Sequence, residues 1–234
     1  QFFKNAFFLL LFVVSTTAIF GQIKNDTIAL SAVTLKGSPI KNLLQNTAAS
    51  VSVITAADIN KSDGIILTSV LNKIPGLTMQ QGALNTNRIT IRGIGARAQY
   101  GTNKIKAYFD GIPLTTGEGE TTIDAIDLAS IEKIEIIKGP NSTSFGSGLG
   151  GVIQLFSRET PLLASFGKAT VTFGSFGLLQ QRLSAGYDDS KTNIFSSYTD
   201  LQTDGFRANS SYNRKSLNLH GKKKMGSNGI LSFL

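Results

Sequence analysis

Hydrophobic and polar positions keep one rhythm up to Thr160 and another beyond it. In the first part, short alternating runs are interleaved with helical spacing. Val51 and Val53 alternate with Ser50, Ser52 and Ile54, which predicts a strand. Thr55-Ala56-Ala57-Asp58 then reads as a capping box with aspartate in the acidic place, opening one helical turn. Ile66, Leu67, Val70, Leu71 and Ile74 recur on one helical face, predicting a second helix from Ser62 or Asp63 to the stop at Pro75-Gly76. Further strands are predicted over Leu77–Gln80, Arg88–Ile94, Lys106–Asp110, Ile131–Lys138 and Val152–Phe156. In the Ile131–Lys138 run, Glu132 and Glu135 fall on opposite faces, so they are not expected to share a substrate. Together these elements predict an α+β domain, a small mixed sheet with short helices packed on it.

Past Thr160 helical periodicity disappears. Apolar and polar residues alternate over Lys168–Gly174, Leu178–Tyr187, Thr192–Gln202, Arg214–Lys224 and Gly229 to the end. The connections at 187–191 and 225–228 are short, whereas Thr203–Asn213 is a longer polar loop. Strands of about ten residues with short turns alternating with longer loops suit the first antiparallel strands of a transmembrane β-barrel. A soluble β-sandwich shows a similar alternation, so this pattern alone leaves both open.

Composition removes several chemistries. With no cysteine, thiol catalysis, disulfides and cysteine-ligated zinc are excluded, and a single histidine, His220, excludes a histidine-rich metal site. The glycines at 146–151 are followed by a strand and no Lys-Ser/Thr, and Arg92-Gly93-Ile94-Gly95 lacks the full dinucleotide fingerprint. No enzyme activity, cofactor or metal is expected. The net charge of +8 comes from scattered Lys and Arg. The one run, Lys222-Lys223-Lys224, sits beside a turn and reads as solvated or membrane-rim charge rather than a nucleic-acid site.

At the start, Lys4, the apolar run Ala6–Val14 and the small residues Ser15–Gly21 read as a signal peptide, with cleavage near Gly21-Gln22. The apolar run is short against the ~20 residues of a membrane-spanning helix. A chain that begins at Gln1 and ends within a strand-like run is expected to be a piece truncated at both ends. The expected organisation is a signal peptide over 1–21, an extended tail over 22–49, the α+β domain over 50–160 and the barrel start over 161–234.

Five motifs stand in order between Ser50 and Arg158. They are Ser50–Ile59, then Val70–Leu77 with its Pro75-Gly76, Ile89-Thr90-Ile91-Arg92-Gly93-Ile94, Tyr108-Phe109-Asp110-Gly111-Ile112-Pro113, and Ile131–Gly139 leading into the glycine turn. This series resembles the plug domain of TonB-dependent outer-membrane receptors, siderophore receptors among them. Thr203–Arg207 and the strand after Tyr212 resemble early barrel segments of the same family. Two departures stand out: Lys138 occupies a place where the family usually has arginine, and the 146–151 glycine turn is one residue shorter than its commonest form.

The resemblance implies function and site residues. Thr27, Ile28, Ala29, Leu30, Ser31, Ala32 and Val33 stand where the family has its TonB box, an extended segment that pairs with TonB, itself part of an inner-membrane energising complex. By composition alone the same residues also suit a linker. Arg92 and Lys138 correspond to residues that hold the plug to acidic groups on the barrel wall, against the simpler reading as solvated strand-end charges. Ligand capture is implied for the loops Gly95–Asn103 and Leu114–Thr121, through Arg97, Gln99, Tyr100, Glu118 and Glu120, which equally suit loops that only face water. The expected activity is active uptake of a scarce extracellular ligand, foremost a ferric siderophore or other metal chelate, across a Gram-negative outer membrane with contact to its lipid. Cobalamin and oligosaccharides are alternative cargoes of the family, and a secreted β-rich adhesin is the alternative outside it.

Overall fold

A computed structural model describes residues 35–36, 49–84, 86–95, 102–123, 126–140, 145–146, 148–226 and 229–234. All lie in one unit, Val33–Leu234. Strand β1 (Ser50–Thr55) runs into helix α1 (Ala56–Asn60) through the expected capping box. Asp58 N–H donates to the Thr55 hydroxyl, and the Asp58 carboxylate accepts from Thr55 N–H at 3.1 Å. These bonds satisfy donors that a helix start leaves orphaned.

The second helix is shorter than its apolar periodicity predicts. Helix α2 covers only Thr68–Leu71. Gly64 sits at φ +68°, outside helical space, and the Asp63 carboxylate draws in the N–H groups of Ile65 and Ile66. Side-chain capture of backbone donors competes with helix formation, so residues 62–67 form turns instead. Leu67, Val70 and Leu71 are nevertheless buried, as the spacing requires.

Strand β2 (Leu77–Ala83) pairs with β3 (Thr86–Ile91) as a separate hairpin rather than joining the main sheet. β3 stops three residues before its expected end, because Arg92 and Gly93 both take positive φ and Ile94 bridges back to Ile91. The main sheet contains β4 (Ile105–Phe109), β5 (Ile112–Pro113), β6 (Ile131–Lys138) and β7 (Gly151–Ser157) beside β1. Its order is β1-β6-β7-β4-β5, antiparallel except for the parallel β4–β7 pair. The mixed sheet is thus observed, with β5 an addition that its two residues gave little pattern to find.

Ile91, Ile105, Ile131, Ile134, Ile136, Ile153 and Leu155 are almost fully buried in one core with Leu71 and Val70. Each buried aliphatic side chain contributes about 1.5–3 kcal/mol of transfer free energy. Gly151 takes φ +143°, and a Cβ there would collide with the Ile137 carbonyl oxygen, so this turn admits glycine alone.

The remaining strands are β8 (Ser165–Phe173), β9 (Leu179–Asp188), β10 (Thr192–Thr203), β11 (Tyr212–Met225) and β12 (Gly229–Phe233). They form an antiparallel meander in sequence order, with bounds close to those read from alternation. Its two faces are inverted relative to a soluble sheet. The row Thr170, Arg182, Thr199, Ser216 faces the mixed-sheet domain, while Ala169, Leu183, Tyr198 and Leu217 point away from it. Leu217 is 73% exposed and Leu183 58%.

Candidate functional site

The mixed-sheet domain meets the inner face of the meander along a seam of polar side chains. Asp127, the N-cap of the 3₁₀ turn Leu128–Ser130, is 2% exposed. Its Oδ1 accepts from Ala129 N–H at 3.2 Å and from Arg182 Nη2 at 3.1 Å, and its Oδ2 accepts from the Thr199 hydroxyl at 2.5 Å. Arg182 Nη2 also donates to the Gly64 carbonyl at 2.9 Å. One arginine on β9 and one threonine on β10 therefore grip two loops of the mixed-sheet domain. The carboxylate is multiply bonded and shielded from water, the condition under which a buried polar group is tolerated.

The linker after β7 is fastened as well. Arg158 N–H donates to the Ser130 carbonyl at 2.7 Å. Thr160 donates through its N–H to Asn193 Oδ1 at 3.1 Å and through its hydroxyl to the Ile194 carbonyl at 2.7 Å. Asn193 Nδ2 returns a bond to the Thr160 carbonyl at 2.8 Å. Glu159 pairs with Lys222 on β11, and Lys36 lies 3.8 Å away. Burial works to raise the Glu159 carboxyl, but its bonds to Lys222 and the charge of Lys36 outweigh it and hold the group below the usual range.

Towards the long-loop end, a cavity of about 280 Å³ opens between Ile66, Gln81 and Leu84 of the mixed-sheet domain and Phe176, Leu178 and Phe206 of the meander. The Phe176 and Phe206 rings meet edge-on at 6.5 Å. Arg207 lies over Phe206 and donates to the Gly82 carbonyl. Near the short-turn end, Asp110 takes Ser157 N–H on Oδ1 at 3.0 Å, and its Oδ2 stands 4.0 Å from His220 Nε2.

The residues singled out from sequence fall in different places. Thr27–Val33, Arg97, Gln99 and Tyr100 lie outside the described residues. Glu118 and Glu120 are exposed on a tight turn, closed by Thr116 N–H to the Glu120 carbonyl at 2.8 Å and by Lys106 Nζ to the Gly119 carbonyl at 3.3 Å. Arg92 and Lys138 are brought together at Pro75-Gly76. Arg92 N–H donates to the Gly76 carbonyl at 2.7 Å, and Lys138 Nζ to the Pro75 carbonyl at 2.9 Å. Among the described residues neither has a carboxylate partner.

One expectation needs correction. Glu132 and Glu135, placed on opposite faces by strict alternation, both reach Lys36: its N–H donates to Glu135 Oε1 at 2.8 Å, and its Nζ lies 3.7 Å from Glu132. A register shift between Ile131 and Lys133 breaks the strict alternation of β6. Asp127, Arg182, Thr199 and Lys36 were not found from sequence. The one available signal was Arg182, a mid-strand charge in the inward row of β9 between the uncharged Gln180 and Ser184.

Residues 43–152 match the family described as the TonB-dependent receptor plug domain. The iron-regulated outer membrane virulence protein of Vibrio cholerae is 31% identical over 153 residues, 62% of this chain and 22% of that protein. The vitamin B12 transporter BtuB of Vibrio vulnificus is 27% identical over 139 residues, 58% of this chain and 21% of the relative. The ferric-catecholate import receptor Fiu of E. coli K12 superposes with a TM-score of 0.64 at 23% identity, over 82% of this chain and 27% of its own. At that identity the superposition speaks for the fold. The chain spans about a fifth of the length of the curated relatives it matches.

Proposed function

Residues 43–152 belong to the TonB-dependent receptor plug family, and from that premise we propose that this chain is part of an outer-membrane receptor for active uptake of a ferric chelate. In this reading residues 50–160 are the plug, and the meander is the first part of the barrel wall that encloses it. The inverted sheet carries the proposal: an apolar face turned outwards suits lipid, and a polar face turned inwards suits a plugged lumen. Loops 174–178 and 204–211 then lie at the extracellular end, and the turns at 189–191 and at Gly226 at the periplasmic end.

The ligand is captured from outside by the plug loops that carry Arg97, Gln99, Tyr100, Glu118 and Glu120 together with wall loops. Arg92 and Lys138 hold the plug to acidic wall residues. Thr27–Val33 adds as a strand to TonB, whose pull opens the path; backbone hydrogen bonds supply the affinity of such a pairing. The signal peptide over 1–21 directs export. A V. cholerae relative whose name calls it iron-regulated supports a ferric cargo, and the V. vulnificus relative named for vitamin B12 keeps cobalamin as the second reading.

The test is uptake by cells that express the full-length protein as their sole receptor under iron limitation, supplied with labelled ferric chelates or labelled cobalamin. Uptake of a ferric chelate that disappears when TonB is deleted is the expected result. Cobalamin uptake alone would replace the cargo. A protein that fractionates away from the outer membrane would end the proposal.

A further inference from the structure

Lys36 is held by three carboxylates from two parts of the fold. Its N–H donates to Glu135 Oε1 at 2.8 Å, while its Nζ lies 3.7 Å from Glu132 Oε2 and 3.8 Å from Glu159 Oε1. Glu132 and Glu135 belong to β6 in the plug sheet, whereas Glu159 is in the linker to the wall. Leu35, next to it, is 3% exposed. Glu135, at 1% exposed, also pairs with Lys133 at 2.5 Å, and Glu159 pairs with Lys222 on β11. Alternating charges therefore run from the plug sheet through Lys36 and Glu159 to the wall. Lys36 follows Val33, the last residue of the candidate partner-binding segment, by three positions.

We propose that Lys36 is the positioning residue that passes displacement of the N-terminal tail to the seam between plug and wall. Seated, it holds Glu132 and Glu159 beside its ammonium and Glu135 on its backbone N–H. Drawn away with the tail, it leaves those carboxylates facing one another without it. Buried Glu135 then keeps Lys133 but loses one hydrogen bond, and Glu132 and Glu159 lose the cation between them, so β6 and the 158–160 linker loosen together. The surface part of this network is weak by itself, and its leverage comes from the buried Glu135 and the anchoring of Leu35. This role rests on reading Thr27–Val33 as the segment on which a partner pulls.

The chain has no cysteine, so a single introduced thiol reports cleanly on the seam. Ser157, 4% exposed on β7, lines a small cavity with Phe195, Asn218 and His220 of the wall. In outer membranes that hold the full-length Ser157→Cys protein, maleimide labelling is expected to be slow. Adding Lys36→Glu is expected to speed it by about tenfold or more through local opening, while Lys36→Arg leaves it slow. An Ala107→Cys probe, fully buried in the plug core, reports global unfolding and is expected to stay unlabelled. Unchanged labelling at 157 in the Lys36→Glu protein, or equal acceleration at 107, overturns the role of Lys36. Energising the membrane is expected to accelerate labelling at 157 while Lys36 is present. Acceleration by Lys36→Glu without any response to energisation keeps the Lys36 role and overturns the tail-pulling reading beneath it.

Discussion

Asp127 of the plug and Arg182 of the wall meet at 3.1 Å, the carboxylate 2% exposed and the guanidinium side chain 16%. Its polarity is the reverse of what the motifs implied. They put basic groups on the plug and acids on the wall, through Arg92 and Lys138, whereas this pair sets the acid on the plug. Asp127 also caps the 3₁₀ turn that leads into β6, so the contact ties the wall to the entry of a central plug strand.

Removing either partner of that pair is expected to be costly, and removing both much less so. Arg182→Ala leaves Asp127 buried and unpaired, with an expected loss of about 3–5 kcal/mol. Arg182→Ala with Asp127→Ala is expected to cost less than the sum of the single losses. A double-mutant cycle on chemical unfolding of the purified protein measures this, and additive losses would show that the two residues are not coupled.

On the outer face, Leu217 is 73% exposed in the middle of an apolar row. Leu217→Arg there is expected to destabilise insertion by about 2–4 kcal/mol if that position lies near the bilayer midplane. Folding into lipid vesicles measures the difference. A neutral effect would argue that the face meets water.

Arg92 holds φ +51° without being glycine, a conformation that costs roughly 1–2 kcal/mol. Arg92→Gly relieves that strain and removes the guanidinium. If the side chain anchors the plug, thermal stability is expected to hold or rise while uptake falls. Loss of stability together with uptake would assign Arg92 a plain structural role.

The tail and the ligand loops are expected to separate binding from transport. Leu30→Pro removes a backbone donor that strand addition needs, so energised uptake is expected to vanish while ligand affinity stays intact. Arg97→Ala with Tyr100→Ala is expected to lower affinity. Equilibrium binding and uptake measured side by side test both, and an identical pattern in the two variants would contradict the division.

The seam is also expected to be acid-sensitive. Glu159 is held below its ordinary range, so its contribution is complete above the unfolded value of about 4.3 and declines as pH falls through the depressed folded value. Unfolding of wild type is expected to lose stability below about pH 4, and the loss is expected to be smaller in Glu159→Gln. Parallel pH dependences in the two proteins would remove Glu159 from the account.

Much of this molecule was readable in its linear pattern. Period-two alternation located β8 to β11 to within a few residues, because a strand with two unlike faces must alternate. Thr55 and Asp58 announced their capping box because both partners lie within one turn of chain. Pattern alone overextended α2, where Asp63 and Gly64 divert the backbone, and overextended β3 past Arg92.

The seam was hidden for a different reason. Asp127 lies 55 residues from Arg182 and 72 from Thr199, and Lys36 lies 99 from Glu135. No periodicity links such positions, since each belongs to a different element with its own rhythm. Local chemistry settled which segments become strands, where they turn and which face of each is apolar. The tertiary structure alone decided which polar groups meet once the mixed sheet lies against the meander, because partners for buried charges are chosen by proximity in space and not by spacing along the chain.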